Sequence, residues 1–351
     1  MTYHILLTID VEDWFQVENF KECIPFSSWP SCELRVEKNT HRILDLLDEV
    51  SVHRSYPISE ALTSEALASP TSLARRSFQA KAADPRPLTS GSAKATFFVL
   101  GWVAERLPRL VREIHSRGHE VASHGFSHEL CTKCSHEELK KDLSESKNLL
   151  EDIIGSQIQG YRAPSFSIDD EILKMIQDCG YLYDSSYNSF SIHGRYGTVS
   201  LNGHRKRGIA YQLADNFFEL PVSNLRLGGR VLPWGGGGYF RLTPLRLFIR
   251  GVERILSKSG DYLMYVHPWE IDSEQPKIKG GSPFLRFRHY ANISRNYSKL
   301  FKFIEKFKRC TFMTCFEQLR AEEDCEKEVV ASGVSSHQSD GKKHFHPRRM
   351  V

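Results

Sequence analysis

Short apolar segments alternate with stretches of helical period along most of this chain, and that alternation leaves few folds open. His4-Ile-Leu-Leu-Thr-Ile9 and Ala95-Thr-Phe-Phe-Val-Leu100 are rich in β-branched and aromatic residues and read as strands. Residues 108–114 carry apolar side chains at helical spacing and stop at Gly118, and a charged helix is predicted over about 136–154. Residues 169–179 open on acidic groups and close at Gly180, which suits a helix dipole and a glycine cap. Further strands are predicted at 181–183, 218–222, 262–266 and 311–314, with helices near 245–256 and 297–307. Such βα alternation builds a parallel sheet, and the number of units favours a TIM-barrel-like α/β barrel in a single catalytic domain. In a barrel the chemistry sits at the C-terminal ends of the strands, and Asp10, His124, Arg162 and His267 all fall there.

Two stretches break the pattern. Residues 49–92 are rich in Ser, Ala and Pro, with Pro57, Pro70, Pro85 and Pro87, and are expected to form an inserted flexible loop on the N-terminal face, away from the site. Residues 326–351 are polar and are expected to be a disordered tail, with His337, His344 and His346 solvated. The domain expected between these limits is 1–325, with a C-terminal region of about 270–325.

The 47 basic and 43 acidic residues nearly balance, so charge implies no nucleic-acid partner. No apolar run approaches the ~20 residues of a transmembrane segment. Met1-Thr2-Tyr3-His4 does not read as the start of a signal peptide, and the eight cysteines are scattered. A cytoplasmic chain with reduced thiols is the expectation, and Cys131-Thr-Lys-Cys134, lacking a second pair, reads as structural or incidental.

His124 and His128 stand four positions apart, a spacing that would stack both rings on one face of a helical turn and let them share a metal ion. The first strand ends in Asp10, Glu12 and Asp13, and a later one ends in His267. Carboxylates and imidazoles gathered at strand ends are what a metal-assisted hydrolase needs. Glycoside hydrolysis would need two carboxylates flanking a bond instead.

Taken in order, Thr8-Ile-Asp10-Val-Glu-Asp13, His124-Gly-Phe-Ser-His128, Arg162-Ala-Pro-Ser165, Asp184-Ser-Ser-Tyr187 and Val266-His267-Pro268 resemble the five motifs of the polysaccharide deacetylase family, also called the NodB-homology family or carbohydrate esterase family four. Phe97-Phe-Val-Leu-Gly-Trp102, the stretch Gly236 to Phe240, His267-Pro-Trp-Glu270 and Phe287-Arg-His-Tyr290 are similar to a subgroup found in exopolysaccharide loci with exosortase systems. The resemblance implies a distorted (β/α)7 barrel and metal-dependent removal of N-acetyl groups from amino sugars. The substrate it implies is a bacterial exopolysaccharide or its precursor, and with no export signal visible, lipid-linked oligosaccharide at the inner membrane face is among the expected partners.

It further implies His124 and His128 as ligands of a divalent ion, Zn2+ by default. Asp10 would be the general base, His267 the acid that protonates the leaving amine, and Arg162 the partner that orients Asp10. Ser165, Asp184 and Trp269 are expected at the substrate. The family's third ligand is the second of two adjacent aspartates. Here Val11 and Glu12 intervene; alternation along an extended chain would set Glu12 beside Asp10, but Asp13 is taken as the ligand for consistency with the family's aspartate, with Glu12 as its substitute. Gly125 stands where the family often has Ser or Thr. A hydrolase of another linear or cyclic amide, and a carbohydrate-binding relative without catalysis, are the rival readings.

Overall fold

The computed structural model describes residues 2–54, 89–190 and 199–331. In chain order its first half contains β1 (His4–Val11), α1 (Val36–Glu49), β2 (Ser51–Arg54), β3 (Thr89–Ser92), β4 (Thr96–Val99), α2 (Gly101–Arg106), α3 (Pro108–Ser116), β5 (Glu120–Ser123), α4 (His136–Ile154), β6 (Gly160–Tyr161) and α5 (Asp170–Asp178). The second half continues with β7 (Tyr183–Asp184), β8 (Arg205–Arg207), β9 (Ala210–Ala214), β10 (Phe217–Glu219), β11 (Asn224–Leu227), β12 (Arg230–Pro233), α6 (Gly237–Leu242) and α7 (Leu245–Ser259). The last elements are β13 (Asp261–Val266), α8 (Pro283–Tyr290), α9 (Ile293–Lys306), β14 (Thr311–Phe312) and α10 (Cys315–Ala331).

Local chemistry explains the cleanest helix boundaries. Ser135 and Glu138 form a reciprocal capping box at the start of α4, and Gly155 ends it at φ 68°. The Asp169 carboxylate accepts the Ile172 amide at 2.8 Å and so caps α5.

Seven strands, β13-β1-β4-β5-β6-β7-β10, pair in parallel one after another and curl round a common interior. The ladder does not close. Between β10 and β13 the gap is spanned by single contacts, Ser223 N to Leu263 O at 3.1 Å and Tyr265 N to Gly235 O at 2.8 Å. The expected distorted barrel is therefore a curled half-barrel. The sheet extends beyond β10 through antiparallel β9 and β8, and a branch from the first residues of β1 carries β14, β2 and β3. β11 and β12 form a separate hairpin.

The period-two alternation of the strands separates two apolar layers. Leu6, Phe98, Ala122, Tyr183, Phe218 and Leu263 fill the interior, while Ile5, Leu7, Ile9, Phe97, Val99 and Phe217 meet the helices. Because Thr8 pairs with Tyr265 and Asp10 with Phe98, the even positions of β1 and the odd positions of β13 all face inward.

The expected loop of 49–92 begins and ends as sheet, since β2 and β3 pair antiparallel; residues 55–88 lie outside the described residues. The expected tail also starts late, because α10 continues through residue 331, and 332–351 lie outside the described residues. Cys131 and Cys134 are free thiols, the first buried with its sulfur 3.4 Å from the Tyr161 hydroxyl.

Candidate active site

Strand alternation and register bring the polar groups together before any loop is considered. Asp10 lies on the inner face of β1, and Glu12, two residues further along the chain, follows it inward. His267 continues the inward series Leu263, Tyr265 from β13, beside β1. Arg162 follows Tyr161, which faces the helices, and so points inward.

Arg162 is fully buried and holds Asp10 by an ion pair of 2.7 Å between its Nη1 and Oδ1. The same nitrogen donates to Thr8 Oγ1 at 2.7 Å, and Nε and Nη2 donate to the Ser185 carbonyl and hydroxyl at 2.9 and 2.8 Å. Four acceptors fix the guanidinium plane, so the Asp10 carboxylate is fixed with it.

The two histidines meet, although not by the helical stacking that their spacing suggested. His124 leaves the end of β5, Gly125 turns the chain at φ 73°, and His128 itself adopts φ 55°. The rings lie 5.4 Å apart. Asp142 of α4 holds this loop by accepting the amides of Phe126 and Ser127 at 3.0 and 3.3 Å. Gly125 takes a positive φ that other side chains rarely adopt, and a Cβ there would come within 2.7 Å of the Asp142 Oδ1, which would then have to shift. A left-handed histidine is strained backbone kept in place by its surroundings.

His124 Nδ1 donates to the Arg162 carbonyl at 2.8 Å. Since a carbonyl only accepts, the lone pair of the neutral ring is on Nε2. Burial, foremost among several influences, brings this imidazole down to about 4, which keeps it neutral near pH 7.

Among the described residues, Glu12, His124 and His128 form the group whose potential ligand atoms all lie within 4.8 Å of one another. All three are buried. Glu12 Oε2 lies 2.8 Å from His128 Nε2, while Trp269 Nε1 donates to Oε1 at 3.3 Å. A buried carboxylate and two imidazole nitrogens gathered this closely are a donor set that fits a divalent ion. Burial pushes the Glu12 carboxyl up, but His128, His267 and His124 outweigh it and hold the group at about 2.

Asp13, expected as the third ligand, is turned away. Its Oδ2 accepts the amides of Arg35 and Val36 at 2.7 and 2.8 Å, and its Oδ1 accepts the Trp14 amide at 2.8 Å. It thus caps the start of α1 with a carboxylate whose oxygens are already engaged. Burial raises Asp13 to about 6 against those donors. The geometry favours Glu12, the residue that simple strand alternation would select.

His267 Nε2 lies 3.2 Å from Glu12 Oε1 and 3.8 Å from Asp10 Oδ2, and its Nδ1 lies 3.4 Å from Glu270 Oε2. Glu270 is held in turn by Arg241 at 3.1 Å. Burial lowers the His267 imidazole, but the three carboxylates prevail and raise it to about 9. The Glu270–Arg241 support was not anticipated from sequence. The signal for half of it was the spacing of His267 and Glu270, three apart; Arg241 arrives from another element.

Trp269 stacks on His267 at 5.3 Å and on His289 at 4.3 Å, and lines the cavity. Ser165, at φ 53°, lines it as well. Asp184 does not. It pairs with Glu219 in register across β7 and β10, on the side opposite Tyr183 and Phe218, and accepts from the Ser186 hydroxyl at 2.7 Å. The cavity bounded by Asp10, Glu12, His124, His128, Ser165, His267 and Trp269 measures about 150 Å³. That volume admits a group the size of an acetamide, with the rest of a larger substrate outside.

Residues 86–183 match the model of a family described as polysaccharide deacetylase, and residues 185–317 match one described as Domain of unknown function (DUF3473). His124, His128, Arg162 and Ser165 fall in the first range and His267 and Trp269 in the second, whereas Asp10 and Glu12 precede both. The chain is 33% identical over 93 residues to a peptidoglycan deacetylase-like protein of Gibberella zeae, covering 26% of this chain and 28% of that one. It is 32% identical over 89 residues to a peptidoglycan-N-acetylglucosamine deacetylase of Bacillus cereus, covering 25% of this chain and 41% of the relative. The chain thus spans less than half the length of either relative. A crystal structure from Mycobacterium smegmatis, assigned as a polysaccharide deacetylase, matches 100% of this chain and 95% of its own with a TM-score of 0.53 and 16% identity, which shows a shared fold.

Proposed function

We propose that this chain, whose match over residues 86–183 and whose relatives support the polysaccharide deacetylase family, is a metal-dependent hydrolase that removes N-acetyl groups from amino sugars. The observation that carries the reading is the convergence of Glu12, His124 and His128 with the Asp10–Arg162 pair and His267 round one small cavity.

Glu12, His124 and His128 would hold the ion, with zinc the default for two imidazoles and a carboxylate. When bound, a divalent ion polarises the acetamido carbonyl and acidifies water. Asp10, oriented by Arg162, takes a proton from the attacking water through the carboxylate edge that faces His267. His267 gives its Nε2 proton to the nitrogen as the C–N bond breaks, so acetate and a free amine leave. Glu270 at Nδ1 and Trp269 against the ring hold this imidazole in one orientation. Buried walls exclude bulk water and strengthen each of these interactions.

The finer substrate we favour is an amino-sugar exopolysaccharide or its lipid-linked precursor. Its support is the set of subgroup motifs, Asp10-Val-Glu-Asp-Trp14 and His267-Pro-Trp-Glu270, whose side chains line this cavity or support its walls.

The test is acetate release from N-acetylglucosamine oligomers, together with metal content, for wild type, Glu12→Gln and Asp10→Asn. The expected pattern is metal-dependent release by wild type, loss of metal in Glu12→Gln, and loss of turnover with metal retained in Asp10→Asn. Metal binding by wild type with no acetate from any amino sugar would overturn the deacetylase reading in favour of another amide or a binding role.

A further inference from the structure

α8 exposes what a helix of this size normally buries. Phe284 and Phe287, one helical turn apart, are 69% and 68% exposed, the most exposed large apolar side chains among the described residues. The same helix is anchored from its other side. Leu285 packs on the core, His289 stacks on Trp269 and lies 2.7 Å from Gln275 Oε1, and the Arg241 guanidinium reaches the carbonyls of Arg288 and His289 at 3.3 and 2.7 Å. The phenylalanines are therefore held outward by a fixed support.

The charge along this part of the chain is one-sided. From Gln275 to Ile304 the chain has Lys277, Lys279, Arg286, Arg288, Arg295, Lys299 and Lys302, and no Asp or Glu. Lys277 and Lys279 are exposed, and Arg286 donates to the Lys279 carbonyl at 3.1 Å, which ties that basic segment to α8. Arg288 and His289 line the cavity, so this face adjoins its mouth.

We propose that α8 and the preceding basic segment dock the protein on an anionic lipid surface, with Phe284 and Phe287 entering the headgroup–acyl boundary. Apolar side chains flanked by cations match both parts of such a surface, hydrocarbon and negative headgroups. A second copy of this chain fits worse, because a two-fold contact through α8 would set Lys277, Lys279 and Arg286 against their own equivalents. A sugar platform fits worse too, since phenylalanine has no polar edge to hydrogen-bond a hydroxyl. Docking this way brings the cavity mouth to the lipid surface. Vesicle binding requires no turnover, so its failure and the failure of the deacetylase reading are separable.

The experiment is cosedimentation of the full chain with vesicles of phosphatidylcholine alone and of phosphatidylcholine mixed with phosphatidylglycerol. Wild type is expected to bind the mixed vesicles and to release from them at high salt. The double variant Phe284→Ser/Phe287→Ser, and separately Lys277→Glu/Lys279→Glu, should each bind at least about tenfold more weakly, with unchanged thermal midpoint. No binding by wild type, equal binding to neutral vesicles, or full binding by the phenylalanine variant would overturn the proposal. So would a wild-type dimer in sedimentation velocity, or retention on soluble polysaccharide, that the phenylalanine variant abolishes.

Discussion

Two pairs of buried carboxyls stand at C-terminal strand ends in different parts of one sheet, Asp10 and Glu12 at β1 and Asp184 and Glu219 at β7 and β10, and they have opposite fates. Asp10 and Glu12 face the interior, where Arg162, His124, His128 and His267 supply positive charge or donors. Asp184 and Glu219 face the helices, pair with each other in register, and have Ser186 and the Tyr187 amide as their close donors. Glu12 is held at about 2, whereas burial, then Asp184, pushes Glu219 well above the usual carboxylate range. Both pairs are out of water; the difference lies in which face of the sheet each occupies and what meets it there. A buried carboxyl stays ionised where the fold sets cations beside it and is driven toward its neutral form where burial and a second carboxyl prevail.

The sharpest way to break the contrast is to disarm the interior pair. Asp10→Asn should lower kcat by about 10² to 10⁴-fold with metal content unchanged, as steady-state kinetics with metal analysis would show. A variant that keeps its rate would remove Asp10 from the proposed proton transfer.

Arg162→Met should destabilise the fold by about 3–5 kcal/mol in urea titration, because Asp10 would be left buried without its cation. A loss near zero would mean that the ion pair does not secure this end of the sheet.

Asp13→Ala should cost about 1–3 kcal/mol by leaving the α1 amides without acceptors, yet metal affinity should stay at the wild-type value. Weakened metal binding in this variant, as in Glu12→Gln, would return Asp13 to the ligand set.

The smallest effect is on the other pair. Glu219 has a folded pKa above its unfolded value of about 4.5, so the stability it contributes is present below that value and is lost as pH rises through the folded pKa. Glu219→Gln can keep the acceptor for the Tyr187 amide and donate to Asp184. It should therefore gain on wild type between pH 5 and pH 8 by about 1 kcal/mol or more, measured as urea stability at both pH values. A variant that instead loses ground as pH rises would mean that Glu219 is ionised in the fold.

Much of the architecture was readable from periodicity. The α4 boundaries follow from a capping box and a glycine, both local signals, and β1 and β13 follow from apolar runs. Short strands such as β6 and β7, with two residues each, exist because neighbours pair with them, so no local pattern announces them in full. Of the site, Asp10, Arg162 and His267 were legible from strand ends, and their meeting agrees with the register.

Glu12 and Asp13 show where reading along the chain runs out. Residue types, their order and the alternation of strand faces were enough to gather carboxylates and histidines at one end of a parallel sheet, because those features are local and periodic. The choice between the two carboxylates depended on where the start of α1 lands, more than twenty residues further on, since its amides occupy Asp13 and leave Glu12 to face the imidazoles. The left-handed turn that joins His124 to His128 likewise depends on Asp142 from a different helix. Contacts between residues far apart in the chain carry no periodic signature, and in this protein they select which of the gathered groups could meet a metal ion.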